Sequence, residues 1–265
     1  MKVGLLQFNV CSGDRKANVE TVARYMAEAR EACPDVLVLP EMWTTGYDWV
    51  NLAALADDGE SFGALLACWA KETGATIVGG SSPVGANGRY ANTLYAYTPE
   101  GERILSYEKV HLFGMMGEER HLAAGSSTGN FCIGAVPCGA VICYDLRFPE
   151  WIRKTVLAGC EILFIPAQWP LSRLDHWRIL LQARAIENQC YVIACNRTGR
   201  DEQGVAFAGH SMVIDPWGVI AVEAGEEEGW IWGEIDRDKV ERVRRKMTVF
   251  ADRRLDLYDF CHCPS

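Results

Sequence analysis

The spacing of apolar positions along the 265-residue chain predicts alternating helices and strands. Apolar residues recur at intervals of three and four in five segments, which predicts helices at about 14–32, 60–72, 149–158, 175–188 and 237–246. Short apolar runs between them predict strands at 3–10, 36–40, 76–79, 162–165, 191–194 and 230–235. Pro34 ends the first helix before the second strand begins.

Each half of the chain also contains a predicted β-hairpin. Residues 92–97 alternate between apolar and polar, 98–101 form a Pro- and Gly-containing turn, and 103–107 return. Residues 211–214 and 219–222 flank a second turn of the same kind. Because strands and helices alternate in both halves, we predict an α/β fold of two facing sheets, a four-layer α-β-β-α sandwich.

Composition favours one domain. The chain has no linker rich in Pro, Ser or Gly and no internal repeat, and 49% of its residues are apolar, enough for a sizeable core. We therefore interpret residues 1–265 as a single domain. The net charge of −9 argues against nucleic acid or an anionic membrane as a partner, and no apolar run approaches the ~18 residues of a membrane span.

Cysteine usage indicates a reducing compartment. The eleven cysteines lack the compact spacing of a disulfide framework, so we expect free thiols, mostly buried, in a cytoplasmic protein. The thiols expected to be buried include Cys33, Cys68, Cys132, Cys160, Cys190 and Cys195. The tail Cys261-His262-Cys263 has too few ligands for a structural zinc site, so no metal is expected there.

Three strand-like runs end abruptly at a reactive side chain. Glu41 follows 36–40, Lys109 follows 104–108, and Cys143 follows an apolar run before a turn and Pro149. A nucleophile on a sharp strand-to-helix turn projects into a cleft, with backbone N–H groups free to face an oxyanion. Most cysteines here are expected to be core residues, but polar neighbours at a strand end set Cys143 apart.

A carboxylate is the natural base for this thiol, because no histidine lies in a papain-like context. The aromatic loop 42–47 after Glu41 is expected to enclose it partly and to raise its proton affinity, as a general base requires. An ammonium at Lys109 would stabilise a tetrahedral oxyanion.

Three segments of the chain follow one another in a characteristic order: Leu39-Pro40-Glu41, Tyr107-Glu108-Lys109-Val110-His111-Leu112-Phe113 and Ile142-Cys143-Tyr144-Asp145-Leu146-Arg147-Phe148-Pro149-Glu150. They resemble the signature segments of the carbon–nitrogen hydrolase (nitrilase) superfamily, and the resemblance covers about residues 1–258, leaving a short C-terminal tail. It implies that Glu41 is the general base, Lys109 the oxyanion cation and Cys143 the nucleophile of amide hydrolysis through a thioester, without metal or organic cofactor.

The family also has a second glutamate in the loop after the lysine. Residues 117–125 resemble that loop, which implies that Glu118 orients Lys109 and the substrate nitrogen, with Glu119 as the competing assignment. By the same resemblance, Arg147 is expected to be a structural ion-pair residue behind the nucleophile turn. The backbone N–H of Tyr144 is expected to face the oxyanion.

The segments 41–48, 168–177 and 207–210 most resemble the ω-amidase-like branch, which implies a substrate such as 2-oxoglutaramate or 2-oxosuccinamate. A carboxylate-bearing substrate needs a local cation in an acidic protein, and Arg173 beside Trp169 is the candidate. An N-carbamoyl amino acid hydrolase, an aliphatic amidase, a nitrilase and a catalytically silent interaction protein are the alternatives. The family usually pairs subunits, so a homodimer or higher homo-oligomer is expected.

Overall fold

The computed structural model describes residues 1–258; the remaining seven residues, including the tail Cys261-His262-Cys263, lie outside the described part. The helices are α1 (Arg15–Ala32), α2 (Leu52–Leu55), α3 (Glu60–Thr73), α4 (Glu118–His121), α5 (Pro149–Leu157), α6 (Leu174–Asn188) and α7 (Asp238–Lys246). The strands are β1 (Lys2–Gln7), β2 (Val36–Val38), β3 (Thr76–Ala86), β4 (Arg89–Tyr97), β5 (Arg103–Glu108), β6 (Asn130–Ile133), β7 (Val136–Ala140), β8 (Ile162–Ala167), β9 (Tyr191–Asn196), β10 (Met212–Ile214), β11 (Ile220–Glu223) and β12 (Gly229–Glu234).

The strands form two six-stranded mixed sheets. The first has the order β12-β1-β2-β3-β4-β5 and the second β11-β10-β9-β8-β7-β6. The central pairs β1–β2, β2–β3, β7–β8 and β8–β9 are parallel, and the outer pairs are antiparallel. The predicted sandwich of two sheets flanked by helices is confirmed.

Successive residues of the first sheet face opposite layers. Leu5 and Val38 are fully buried with Leu163 and Val192 of the second sheet, so this core lies between the sheets. Their chain neighbours, such as Leu6, belong to a separate core formed with α1 and α3. This alternation follows from the two-residue period of a strand, which places neighbouring side chains on opposite faces.

The strand β3 is longer than the predicted 76–79 and bends around the turn that bears Glu41. Its pairing with β4 shifts register between Val78 and Ser81. Gly80 in this bulge has φ +60°, and a Cβ on it would lie 2.0 Å from the carbonyl oxygen of Pro40. Only glycine tolerates both the backbone conformation and the close approach. The Ser81 N–H then donates to the Pro40 carbonyl at 3.2 Å, so β3 fixes the backbone just before Glu41.

The cysteines are free, but the expectation that they are mostly buried is wrong at several positions. Among the described residues, Cys160, Cys190 and Cys195 are buried, whereas Cys33, Cys68 and Cys132 are exposed, as is Cys11. Cys33 ends α1 in a left-handed conformation, which turns it out of the helix face that α1 buries. Within residues 1–258, no helix is both long enough and apolar enough to span a bilayer.

Candidate active site

Four of the sequence-predicted residues meet in one pocket between the sheets. The Nζ of Lys109 lies 2.9 Å from Oε1 of Glu41 and 2.7 Å from Oε1 of Glu118. These three charged side chains are at most 1% exposed. Cys143 lines the same pocket as Lys109 and Glu118. A buried ammonium thus lies between two carboxylates and lines the same pocket as the thiol.

Cys143 begins a tight turn between β7 and α5. Its φ is +44°, in the left-handed region, where a non-glycine residue is strained. A 3₁₀ turn runs from Cys143 to Arg147, and Pro149 begins α5. The first amides of a helical turn have no helical carbonyl to bind, so the N–H of Tyr144 is available to an oxyanion beside the thiol.

The buried carboxylate of Asp145 ties this turn to the segment that carries Lys109. Its Oδ2 accepts hydrogen bonds from the N–H of Ile142 at 3.0 Å and from the hydroxyl of Tyr107 at 2.7 Å. Its Oδ1 accepts from the N–H of His111 at 2.9 Å and lies 2.7 Å from the ring Nδ1. Tyr107 and His111 flank Lys109 two residues away on either side. Asp145 therefore sets the position of the thiol relative to the ammonium.

Glu41 is held by two residues that the sequence analysis did not single out. The Nδ2 of Asn92 on β4 donates to Oε1 of Glu41 at 2.8 Å. The backbone N–H of Gln168 donates to Oε2 at 2.9 Å, and its Nε2 donates to the Glu41 carbonyl at 2.8 Å. Oε1 thus accepts from Lys109 and Asn92, and Oε2 accepts from the backbone N–H of Gln168. The amide of Asn92 is fully buried, but β4 also carries Arg89 and Thr93, so the sequence pattern does not set Asn92 apart.

Burial and charge set the ionisation of the cluster. Burial raises the pKa of the Cys143 thiol well above its usual value, and the negative charge of Glu41 raises it further against the opposing Lys109. Burial alone would lower the pKa of Lys109, but the carboxylates of Glu41 and Glu118 more than reverse this and raise it. The thiol is therefore protonated and the lysine charged in the free protein at neutral pH.

Glu118, and not its neighbour Glu119, faces the pocket. The Phe113 N–H donates to Oε2 of Glu118 at 2.9 Å, while Oε1 faces Lys109. Burial raises the pKa of Glu118, the ammonium of Lys109 lowers it, and Glu41 raises it. The side chain of Glu119 is 47% exposed and lies 3.5 Å from Arg120 at the surface.

The pocket above Cys143 is also lined by the three residues predicted to bind substrate: Tyr144, Trp169 and Arg173. Trp169 is 2% exposed, and its indole N–H donates to the Arg173 carbonyl at 2.8 Å. The guanidinium of Arg173 lies 5.7 Å from the centre of the Phe113 ring. The structure thus brings these residues together with the thiol.

The prediction that Arg147 forms a structural ion pair behind the nucleophile turn is wrong. Its guanidinium lies over the Trp169 ring at 4.6 Å and lines the pocket together with Arg173. The 3₁₀ turn swings this side chain forward, toward the cavity. Arg184 occupies the place behind the turn instead, where it donates to the Leu146 carbonyl at 2.8 and 3.0 Å and pairs with Glu187 at 3.0 Å.

The pocket opens to the surface through a vestibule of about 470 Å³. Aromatic and methionine side chains line it, among them Trp49, Phe113 and Met116. Burial, together with the charges of Glu41 and Glu118, raises the pKa of Tyr47, so its phenol stays protonated between vestibule and thiol. Within residues 1–258, no three His, Cys, Asp or Glu side chains are grouped so as to hold a metal ion.

Comparison with known proteins gives concordant results. The family model for carbon–nitrogen hydrolases matches residues 2–245. The chain is 49% identical over 257 residues to 2-oxoglutaramate amidase of Bacillus subtilis, covering 97% of this chain and 98% of that protein. It is 31% identical over 267 residues to Omega-amidase NIT2 of Homo sapiens, covering 97% and 96%. A CN-hydrolase superfamily protein from Xanthomonas campestris, solved with an arsenic adduct in its active site, superposes with a TM-score of 0.89 at 28% identity, covering 98% and 99%.

Proposed function

The chain belongs to the carbon–nitrogen hydrolase family, and we propose that it cleaves the terminal amide of a small 2-oxo acid, such as 2-oxoglutaramate or 2-oxosuccinamate, to the acid and ammonia. The observation that carries the proposal is the Lys109 ammonium, 2.9 Å from Glu41 in the pocket that Cys143 and two arginines line. The similarity to a 2-oxoglutaramate amidase and to an omega-amidase supports the substrate class.

In the first half-reaction, Glu41 accepts the proton of the Cys143 thiol as the sulfur attacks the amide carbonyl carbon. The C=O π electrons move onto oxygen, and the oxyanion is stabilised by the Lys109 ammonium and the Tyr144 N–H. The protonated Glu41 then gives its proton to the amide nitrogen. The C–N bond breaks, ammonia leaves, and the acyl group remains on sulfur as a thioester.

In the second half-reaction, water takes the place of ammonia. Glu41 removes one proton from the water as the water oxygen attacks the thioester carbonyl carbon. The oxyanion again lies against Lys109. The C–S bond breaks, the sulfur recovers the proton from Glu41, and the acid leaves. Glu118 holds Lys109 in place through its 2.7 Å contact and so acts as a positioning residue for the ammonium.

Two arginines supply the charge that a carboxylate-bearing substrate requires. The guanidinium groups of Arg147 and Arg173 line the pocket, each over an aromatic ring, Trp169 and Phe113 respectively. Burial lowers the pKa of Arg147, and the positive charge of Arg173 lowers it further. An anion between them would relieve their repulsion and accept charge-assisted hydrogen bonds from both. Because the chain carries a net charge of −9, this local positive site is needed to hold an anionic substrate.

The test is ammonia release from 2-oxoglutaramate, 2-oxosuccinamate, glutamine, propionamide and an N-carbamoyl amino acid, each run beside Cys143→Ala. The proposal predicts turnover of the two 2-oxo amides, lost in the variant. Turnover of the carbamoyl substrate with release of carbon dioxide would instead identify a carbamoylase with the same thiol chemistry. A folded protein inactive on every amide would contradict the proposal and favour an interaction protein.

We also propose that residues 1–265 are one domain, with a core of about 1–258 and a short tail, that the protein is cytoplasmic, and that it pairs as a homodimer or assembles further. The pairing of β1 with β12 joins the first and the last described strand in one sheet, which supports a single domain. The nine described cysteines are free, which suits a reducing compartment. We propose no metal or organic cofactor, nucleic acid or membrane partner.

The proposed dimer face lies on α6 and the turn between β10 and β11. Ile179 and Ile186 are seven residues apart on one face of α6 and are 65% and 51% exposed. Val219 is 57% exposed, and a Cβ at Gly218 would lie 2.4 Å from the Ile186 side chain, so the patch is continuous. A second copy of this chain would cover it. Light scattering of the wild type and of Ile186→Lys is expected to show a dimer that the substitution weakens; a monomeric wild type would contradict this.

A further inference from the structure

Arg197 is a buried cation whose described hydrogen bonds all go to neutral oxygens. The residue is 1% exposed, and burial lowers its pKa to about 10. Taking a guanidinium out of water is costly, and neutral acceptors compensate only in part. Its donors contact Oε1 of Gln168 at 3.1 Å, Oδ1 of Asn9 at 2.8 Å, and the carbonyls of Val10 at 2.8 Å and Thr198 at 3.2 Å.

The contact with Gln168 determines which way that side-chain amide points. An amide has an accepting oxygen and a donating NH₂ group that can exchange places by rotation. Because Oε1 accepts from Arg197, the NH₂ group must face the other way, where it donates to the carbonyls of Glu41 at 2.8 Å and Met42 at 3.4 Å. The backbone N–H of Gln168 donates to Oε2 of Glu41. One residue thus binds both the backbone and the carboxylate of Glu41, in an orientation that Arg197 sets.

We propose that Arg197 is a positioning residue that holds Glu41 in its proton-accepting geometry by orienting Gln168. The inference rests on the proposed role of Glu41 as the base. Without the guanidinium, the Gln168 amide is free to rotate, and the Glu41 backbone loses its anchor. A displacement of about 1 Å at a catalytic group can cost about 100-fold in rate, so Arg197 acts on kcat although it does not touch the substrate.

The test compares Arg197→Met with a matched control, Arg244→Met. Arg244 lies in α7 and does not line the pocket of Cys143. It also donates to two carbonyls, of Gln189 at 3.2 Å and Cys160 at 2.7 Å, and its guanidinium lies 5.2 Å from the centre of an aromatic ring. Arg197→Met is expected to lower kcat about 10-fold or more, with KM changed less than about threefold, since it disturbs the base and not binding. Arg244→Met is expected to lower stability and leave both constants unchanged.

A second readout does not need substrate. Burial raises the pKa of the Cys143 thiol most; the charge of Glu41 raises it next, Lys109 lowers it, and Glu118 raises it. Displacement of Glu41 alone therefore moves the pH midpoint of Cys143 alkylation by iodoacetamide to lower pH, a shift that simple destabilisation does not produce. If the wild type releases no ammonia from any amide, the proposed substrate fails, but this midpoint still decides the role of Arg197.

Gln168→Leu provides the second variant, because it removes the side-chain amide and keeps the backbone N–H that binds Glu41. If Arg197 acts through Gln168, Gln168→Leu lowers kcat to a similar extent, and adding Arg197→Met produces little further loss. Independent, additive losses in the double variant would overturn the inference. A folded Arg197→Met variant with wild-type kcat and an unshifted midpoint would overturn it equally. If Arg197→Met does not fold, Gln168→Leu replaces it in the test, and a wild-type kcat in that variant would overturn the inference.

Discussion

The Nζ of Lys109 lies 2.9 Å from Oε1 of Glu41, and neither side chain is accessible to solvent. The same ammonium contacts Glu118 at 2.7 Å, so a single buried cation serves two buried carboxylates. This arrangement keeps Lys109 charged, as its proposed role at the oxyanion requires, and the ammonium contacts Oε1 of Glu41 and not Oε2. We expect the same contacts to make the cluster a determinant of stability as well as of the proposed catalysis.

Replacement of the lysine tests this double role. Lys109→Met leaves two buried carboxylates without their cation, and breaking a buried pair in this way costs about 3–5 kcal/mol. Burial already raises the pKa of Glu118, and loss of the ammonium raises it further. A carboxyl group whose pKa is raised in the folded state stabilises that state at low pH and loses this contribution as pH rises. The stability deficit of Lys109→Met should therefore grow as the pH rises above the ordinary pKa of a glutamate.

Urea unfolding at several pH values measures the deficit. The control is Arg89→Met, because the Arg89–Glu108 pair at 3.3 Å is a surface contact whose arginine is 65% exposed. Its loss should cost at most about 1 kcal/mol. A Lys109→Met protein as stable as the Arg89→Met protein at every pH would show that the buried cluster does not depend on the lysine.

Removal of the proposed base should move two observables in opposite directions. In Glu41→Gln, amide turnover should fall at least about 100-fold, the range of general-base catalysis. Burial raises the pKa of the Cys143 thiol, and the negative charge of Glu41 raises it further. Removal of that charge therefore lowers the pKa of the thiol. More thiolate is then present at a given pH, and iodoacetamide alkylation should become faster at neutral pH. Glu119→Gln at the surface is the control and should change neither; slower alkylation in Glu41→Gln would contradict this electrostatic account.

The two pocket arginines should govern recognition of the substrate carboxylate. A hydrogen bond to a charged group contributes about 1.5–3 kcal/mol, so Arg147→Met and Arg173→Met should each raise KM for 2-oxoglutaramate about 10-fold or more. Propionamide has no carboxylate, so the same variants should leave its kcat/KM nearly unchanged. Equal losses for both substrates would mean that the arginines support the pocket and do not bind the carboxylate.

Asp145 should act on the nucleophile turn without touching substrate. Both carboxylate oxygens of Asp145 accept hydrogen bonds from N–H or O–H donors. In Asp145→Asn, an NH₂ group takes the place of one of these oxygens and faces a donor, which should cost about 1–3 kcal/mol of stability. Because Tyr107 and His111 flank Lys109 and bind this carboxylate, the substitution should also lower kcat for every amide tested, charged or not. Thermal unfolding and a comparison of 2-oxoglutaramate with propionamide check both effects. A loss confined to 2-oxoglutaramate would instead assign Asp145 to substrate binding.

The sequence was most informative where chemistry coincides with the end of a strand. Glu41, Lys109 and Cys143 each follow a strand-like run, and the fold brings them together: Lys109 contacts Glu41 and lines one pocket with Cys143. Adjacent positions were harder: Glu118 and Glu119 differ by about 100° around a helix, and sequence spacing does not show which of them turns inward. The prediction for Arg147 is wrong because this residue ends the 3₁₀ turn that Cys143 begins, and the direction of a side chain in such a turn depends on backbone angles that sequence does not reveal.

Residues that support the site from a distance left little trace in the sequence. Asn92 and Gln168 bind Glu41 from 51 and 127 positions away. Asn92 lies in a strand that also carries Thr93, and Gln168 directly follows a strand, so neither polar residue stands out in the sequence pattern. The same holds for Arg197, whose buried charge becomes evident only when its surroundings are known. Long-range hydrogen bonds of this kind follow from the packing of two sheets and not from local periodicity.

The most direct test of the central claim is the intact mass of the protein after acid quenching during turnover of 2-oxoglutaramate. The account predicts a covalent adduct whose added mass equals that of 2-oxoglutaramate minus ammonia. Peptide mapping should locate it on Cys143, and it should be absent from Cys143→Ala. Turnover without any adduct in the wild type, or an adduct that persists in Cys143→Ala, would contradict a thioester at this residue.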